Sequence, residues 1–156
     1  MAKRKPLVMV NGQIQQLQST DSISAAEIPQ YTNGEAGAIA IGSPVYISGN
    51  DTVMKAKANA SGTLPVIGVV ADGSIANGVA GGIQDTGTLV SSGGFPIADS
   101  LTLAPLTANV IYYASVTTAG TMTANAPSAA GQYVQEIGIA TSTTELKLTL
   151  RAPVLL

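Results

Sequence analysis

The sequence predicts an all-β fold: an antiparallel barrel or sandwich with an internal duplication and an N-terminal hairpin arm. The first observation is an ordered echo. Val45-Tyr46-Ile47-Ser48, Thr52-Val53-Met54 and Ile67-Gly68-Val69-Val70 return later as Ile111-Tyr112-Tyr113-Ala114, Thr121-Met122-Thr123 and Ile137-Gly138-Ile139-Ala140. From Val45 to Ile111, Thr52 to Thr121 and Ile67 to Ile137 the offsets are 66, 69 and 70, a drift that loop insertions account for. The second is that short β-type runs recur between Gly and Pro, as in barrels and sandwiches, and none keeps a helical period over three turns. The third is Asn11-Gly12 between two such runs, the strongest local signal for a two-residue hairpin.

The arm comes first in the chain. Both central residues of a two-residue hairpin turn need φ > 0, which Asn and Gly adopt most easily. Pairing across the turn sets Met9 opposite Ile14 and Val10 opposite Gln13, with Leu7, Met9 and Ile14 on one face. Val8, Val10, Gln13 and Gln15 take the other. A lone hairpin is marginal in water, so this one is expected to dock, on its own body or on another subunit. Residues 19–33 read as a linker: Ser24-Ala25-Ala26-Glu27 fits a capping box, but Pro29 limits any helix to one turn. The chain therefore divides into an arm and linker, 1–33, and a β body, 34–156.

Within the body, 38–41, 45–48, 52–57 and 64–71 are expected strands, separated by Gly42, Gly49-Asn50 and Ser61-Gly62. The stretch 72–94 holds seven glycines and reads as a long loop with one embedded strand at 86–91. Strands resume at 110–115, 121–124, 133–141 and 144–151. In the last, Leu146, Leu148 and Leu150 alternate with Glu145, Lys147 and Thr149, which directs the leucines inward. The echo makes 45–48 and 111–114 equivalent strands, with Tyr46 and Tyr112 in matching packing positions.

Length and composition narrow the function. The 156 residues suit one domain with a separate arm. Only 10% are charged, against about 25% in an average protein, so Ser, Thr, Asn and Gln must hydrate the surface. Such groups desolvate cheaply, which suits permanent packing against other subunits, although a plain Thr/Ser-rich β-domain has the same composition. The net charge is −2, and the one basic cluster, Lys3-Arg4-Lys5, is too small for strong counterion release. No nucleic-acid partner is expected. No apolar run approaches the roughly 20 residues of a membrane span, and 7–10 is too short for a secretory core.

Chemistry is sparse. The chain has neither Cys nor His, which removes disulfides, thiolate metal sites, the commonest general base and the familiar Ser-His and Cys-His pairs. Nine carboxylates are scattered singly, and nothing selects two that could flank a glycosidic bond. The run from Asp72 to Gly78 hints at a calcium loop but has Ile83 where a bidentate Glu is required. Neither Gly81-Gly82 nor Gly93-Gly94 leads into the lysine and helix of a phosphate loop. No catalytic residue, cofactor or metal is expected, and the chain is read as a non-enzyme. A carbohydrate-binding β-module would need an aromatic platform, for which Tyr112-Tyr113 is the candidate.

The run from Asn11 to Ser19, Asn-Gly-Gln-Ile-Gln-Gln-Leu-Gln-Ser, resembles the opening segments of tailed-bacteriophage fibre and head-attached proteins. The pattern Gly42-Ser43-Pro44-Val45-Tyr46 with Ile67-Gly68-Val69-Val70 is similar to small β-modules of phage virion proteins. So is Tyr112 with Gly120-Thr121-Met122-Thr123, Pro127 and the run from Val134 to Ala140. The resemblance implies a structural role in the virion: decorating or cementing the major capsid lattice, or forming a head or tail fibre, often as a homotrimer. Its partner would be the major capsid protein or another virion protein. The arm is expected to supply the contact, with Leu7, Met9 and Ile14 presented by the hairpin, Asn11 and Gly12 at its turn, and Leu17 at its end. Lys3, Arg4 and Lys5 would face an acidic surface.

Overall fold

The computed structural model describes residues 28–98, 100 and 102–156, together with the backbone of 7–10 and 13–16. In chain order the strands are β1 (Leu7–Val10), β2 (Gln13–Gln16), β3 (Gln30–Asn33), β4 (Ile39–Ala40), β5 (Pro44–Gly49) and β6 (Thr52–Lys55). Next come β7 (Gly68–Val70), β8 (Ser74–Ile75), β9 (Ala80–Gln84), β10 (Thr88–Val90), β11 (Phe95–Pro96) and β12 (Leu103–Ala104). The last six are β13 (Ile111–Ala114), β14 (Met122–Thr123), β15 (Tyr133–Val134), β16 (Glu136–Ala140), β17 (Glu145–Leu148) and β18 (Val154–Leu155). The one helical element among the described residues is a single 3₁₀ turn at Ser61–Thr63. The fold is all-β, as the sequence predicts.

The first module is a closed barrel in the order β3-β6-β5-β7-β9, with β9 returning to β3. Every pairing is antiparallel except β3 with β6, which closes it. Its interior is filled from alternate positions by Val45, Val53, Val70 and Ile83, with Ile39 and Ile75 completing the cluster. The second module is a five-stranded sheet in the order β10-β17-β16-β13-β14.

The two modules match strand for strand. In each, a central strand (β5 or β13) lies between the strand that follows it (β6 or β14) and a later one (β7 or β16). The next strand outward is β9 or β17, then β3 or β10. The match extends to turns. Gly42 and Asn109 both have φ > 0, at 75° and 63°. Their amides donate to Val70 O and Ala140 O at 2.8 Å each, and Val70 and Ala140 donate back to Ser43 O and Val110 O. Asp51 and Gly120, before β6 and β14, also share positive φ.

Register corrects one residue of the predicted echo. Val45 pairs with Gly68 and Tyr112 with Gly138, while Tyr46 pairs with Met54 and Tyr113 with Thr123. Tyr46 therefore corresponds to Tyr113, and Tyr112 to the inward Val45. Tyr112 is 4% exposed, and its hydroxyl accepts the Thr107 amide at 2.9 Å. The inward set becomes Leu106, Tyr112, Met122, Ala140 and Leu146 where the first module has Ile39, Val45, Val53, Val70 and Ile83. Larger Tyr112 and Met122 are partly offset by smaller Ala140, the volume trade a close-packed core tolerates.

Two further expectations are corrected. The linker was expected to run to residue 33, but β3 is a barrel strand, so the body begins before it. The stretch 72–94 holds β8, β9 and β10, not a loop with one strand. Its glycines serve close approach: a Cβ on Gly81 would collide with the Ile75 side chain, and one on Gly82 with the Asp72 carboxylate. The final strand is as expected, with Leu146 and Leu148 buried and Leu150 packed at the edge of the core.

Candidate functional site

The arm is described as a bare pair of strands. β1 and β2 pair antiparallel, with Met9 opposite Ile14 and Val10 opposite Gln13, the register that the Asn-Gly turn dictates. No third strand joins that sheet among the described residues. Leu7, Met9 and Ile14 lie within these strands. Lys3, Arg4, Lys5, Asn11, Gly12 and Leu17, also expected at the interface, lie outside the described residues.

Between the modules the contact is continuous. Ala56, Ala58, Val66 and Val69 of the first share one buried cluster with Phe95, Leu106, Tyr112, Met122, Ile137 and Leu146 of the second. Gln135 crosses the boundary almost fully buried. Its Oε1 accepts the Val66 amide at 2.8 Å, and its Nε2 donates to Val66 O at 3.1 Å and Arg151 O at 2.8 Å. Backbone bonds add Ala58 N to Ser115 O at 2.8 Å, Gly120 N to Ala56 O at 2.8 Å and Tyr133 N to Ala58 O at 2.9 Å. The Phe95 ring lies against Gly42, where a Cβ would meet it at 2.7 Å. Neither Gln135 nor Phe95 stood out in the sequence, because a buried amide and a single Phe carry no local signature.

A cleft of about 640 Å³ opens on this boundary, walled by Ser43 and Lys55 on one side and Pro96, Ile97 and Thr121 on the other. Lys55 is the one charged side chain among its described lining residues. A cation among hydroxyls and aliphatic carbons can hold a ligand, and no second ionisable side chain stands beside it among the described lining residues. A second hollow of about 270 Å³, by Ser115, Thr123 and Gln132, carries no charged lining residue among those described. No group of three or more Asp or Glu able to hold a metal occurs among the described residues. The aromatic platform considered for glycan binding loses one member, since Tyr112 is inside the module and Tyr113 alone is half-exposed.

Two surfaces stand out by being apolar and open. Val154, Leu155 and Leu156 are exposed where β18 pairs with β15. On the outer face of the second module Ile111 is 38% exposed and pairs with half-buried Ile139. Comparison with family models, curated proteins and solved structures finds no match.

Proposed function

We propose that this chain is a non-enzymatic structural protein of a phage particle, a capsid decoration or cement protein held on the major capsid lattice. The observation that carries the reading is the paired architecture itself: two packed copies of one β-module, preceded by a hairpin whose two strands form a sheet of their own. A doubled module offers related surfaces at fixed spacing, and linked weak contacts gain avidity on a repeating lattice without new chemistry. A surface hydrated by hydroxyls and amides keeps the desolvation cost of such contacts small. The hairpin suits strand addition, in which backbone pairing supplies affinity and alternate side chains supply register.

In this reading the arm, not the body, makes the first attachment, to a neighbouring subunit or to the shell. A head- or tail-fibre component would use the same parts, with the arm joining it to the fibre base. The test is recovery from purified particles. The full chain is expected in stoichiometric amount, and a chain lacking 1–17 should be lost from particles while its body melts at the same temperature. Gly12→Val should act in the same direction by disfavouring the φ > 0 turn. Absence of the full chain from particles, or equal retention of the truncated one, would overturn the proposal.

A further inference from the structure

The duplication makes it possible to ask which surface of one module has lost the neighbour that covers its twin. In the first module the outward side chains Tyr46 and Val69 pack into the cluster shared with the second module, and Pro44 beside them is buried. Their counterparts are Tyr113, Ile139 and Ile111. None of these three belongs to either buried cluster, and Ile111 is 38% exposed. The same asymmetry runs the other way. The second module receives the first through Ser115 and Gly120, beside fully buried Ala114. The corresponding residues of the first module are Ser48, Asp51 and Ile47, and Ile47 is 51% exposed. One molecule therefore carries both halves of an interface it has already built once internally: an apolar half around Ile111, Tyr113 and Ile139, and an exposed, mainly polar half that adds Ile47 to Ser48 and Asp51.

We propose that these two faces bind each other between molecules: the outer face of the second module, around Ile111, Tyr113 and Ile139, docks a second copy of this chain. That copy presents the end of its first module, Ile47, Ser48 and Asp51. The occupant follows from the internal contact, which shows what covers this face when it is covered. Charge agrees, since exposed Lys147 shares a sheet row with Ile139 and Ile111, while exposed Asp51 sits on the receiving turn.

The contact between chains is a weakened copy. Ala56 and Ala58 correspond to Asn125 and Pro127, so the bond that Gly120 N makes to Ala56 O has a counterpart from Asp51 N to Asn125 O. Pro127 has no amide hydrogen to replace the donor at Ala58. Asn109 stands where Gly42 gives room to Phe95, and the receiving first module has no Phe, so the ring contact is not reproduced. The association is heterologous: a bound pair leaves one face of each kind free, so it propagates or closes into a ring. It depends on the duplication alone and holds wherever the protein resides.

The test uses the purified full chain, away from any particle, and exploits its lack of native cysteine. Asn125→Cys and Asp51→Cys proteins are prepared separately and treated with a short bis-maleimide, alone and mixed. Cross-linked pairs are expected in the mixture and not in either preparation alone, and the double variant should give species larger than two chains. Sedimentation supplies the second readout: Ile111→Lys should weaken self-association about tenfold or more with an unchanged melting temperature. Cross-linking confined to like variants, a monomer at all concentrations, or unchanged association of Ile111→Lys would overturn the proposal. None of these outcomes bears on whether the protein is found in particles.

Discussion

In the first module one unbroken strand, β3, bonds to β9 on one side and β6 on the other, and the barrel closes. In the second, the same duty is divided. Gln30 pairs with Gly82 as Val90 pairs with Glu145, and Asn33 bridges Val53 as Ile97 bridges Met122. Gly34 N donates to Val53 O as Ala98 N does to Met122 O. From Gln30 to Asn33 is three steps and from Val90 to Ile97 seven, so four residues have been added. They are Ser91-Ser92-Gly93-Gly94, a turn closed by Gly94 N to Ser91 O at 3.2 Å and the Ser91 hydroxyl to Gly94 O at 2.6 Å. What differs inside follows from this. In the first module Asn33 is buried and tied to Gly37 O, Ile75 O and Glu35 N; in the second its place is taken by Ile97, packed on the shared core. The split strand thus leaves the second module a five-stranded sheet, its two edges joined through the isolated Ile97–Met122 bridge instead of a closed ladder.

The largest effect is expected where the comparison itself is held together. Gln135→Ala leaves the Val66 amide and carbonyl buried without partners, at about 1–3 kcal/mol for each group. Calorimetry should show a fall of several degrees in melting temperature and a broader or divided transition as the modules uncouple. A single sharp, unshifted transition would mean that the apolar cluster alone couples them.

Next come the matched glycines. A Cβ on Gly68 would meet Gln84 O at 2.7 Å, and one on Gly138 would collide with Lys147 O, the corresponding atom. Gly68→Ala and Gly138→Ala should each lose about 1–3 kcal/mol in urea titration, the range of overpacked sites. Similar losses would sharpen the equivalence of the modules, and a tolerated change in one alone would break it.

The smallest effect concerns the matched turns. Asn109→Ala forces a poorly suited residue to φ > 0 and should cost about 1 kcal/mol, while Asn109→Gly should be neutral or slightly stabilising. Stability unchanged by Asn109→Ala would show that this turn is free to relax where Gly42, pressed by Phe95, is not.

Much of this was legible in the sequence, and the exceptions have physical causes. The hairpin register followed from Asn11-Gly12, because a two-residue turn leaves no freedom in pairing. The duplicated strands followed from Gly-flanked β-branched runs. The tyrosine match slipped by one residue because Tyr112-Tyr113 offers two candidates, and only the inward direction of Val45 decides between them. β3 was hidden in a polar stretch beside Pro29, since its place in the barrel comes from distant partners on β6 and β9. The glycines of β9 read as loop residues because their role, admitting Ile75 and Asp72, lies in tertiary contact. The open face around Ile111 could not be read at all before the register was known, because exposure is a property of what fails to cover a strand.

The split strand has a consequence for engineering. Four residues already sit within one wall of the second module, and a Cβ on Gly93 would meet nothing within 4 Å. The flanking pairs, Val90 with Glu145 and Ile97 with Met122, are kept with these four residues between them. Loop-closure entropy grows only slowly with length, so a foreign peptide spliced between Ser92 and Gly93 adds little cost. That position is a natural display port, opened in one copy and still sealed in the other.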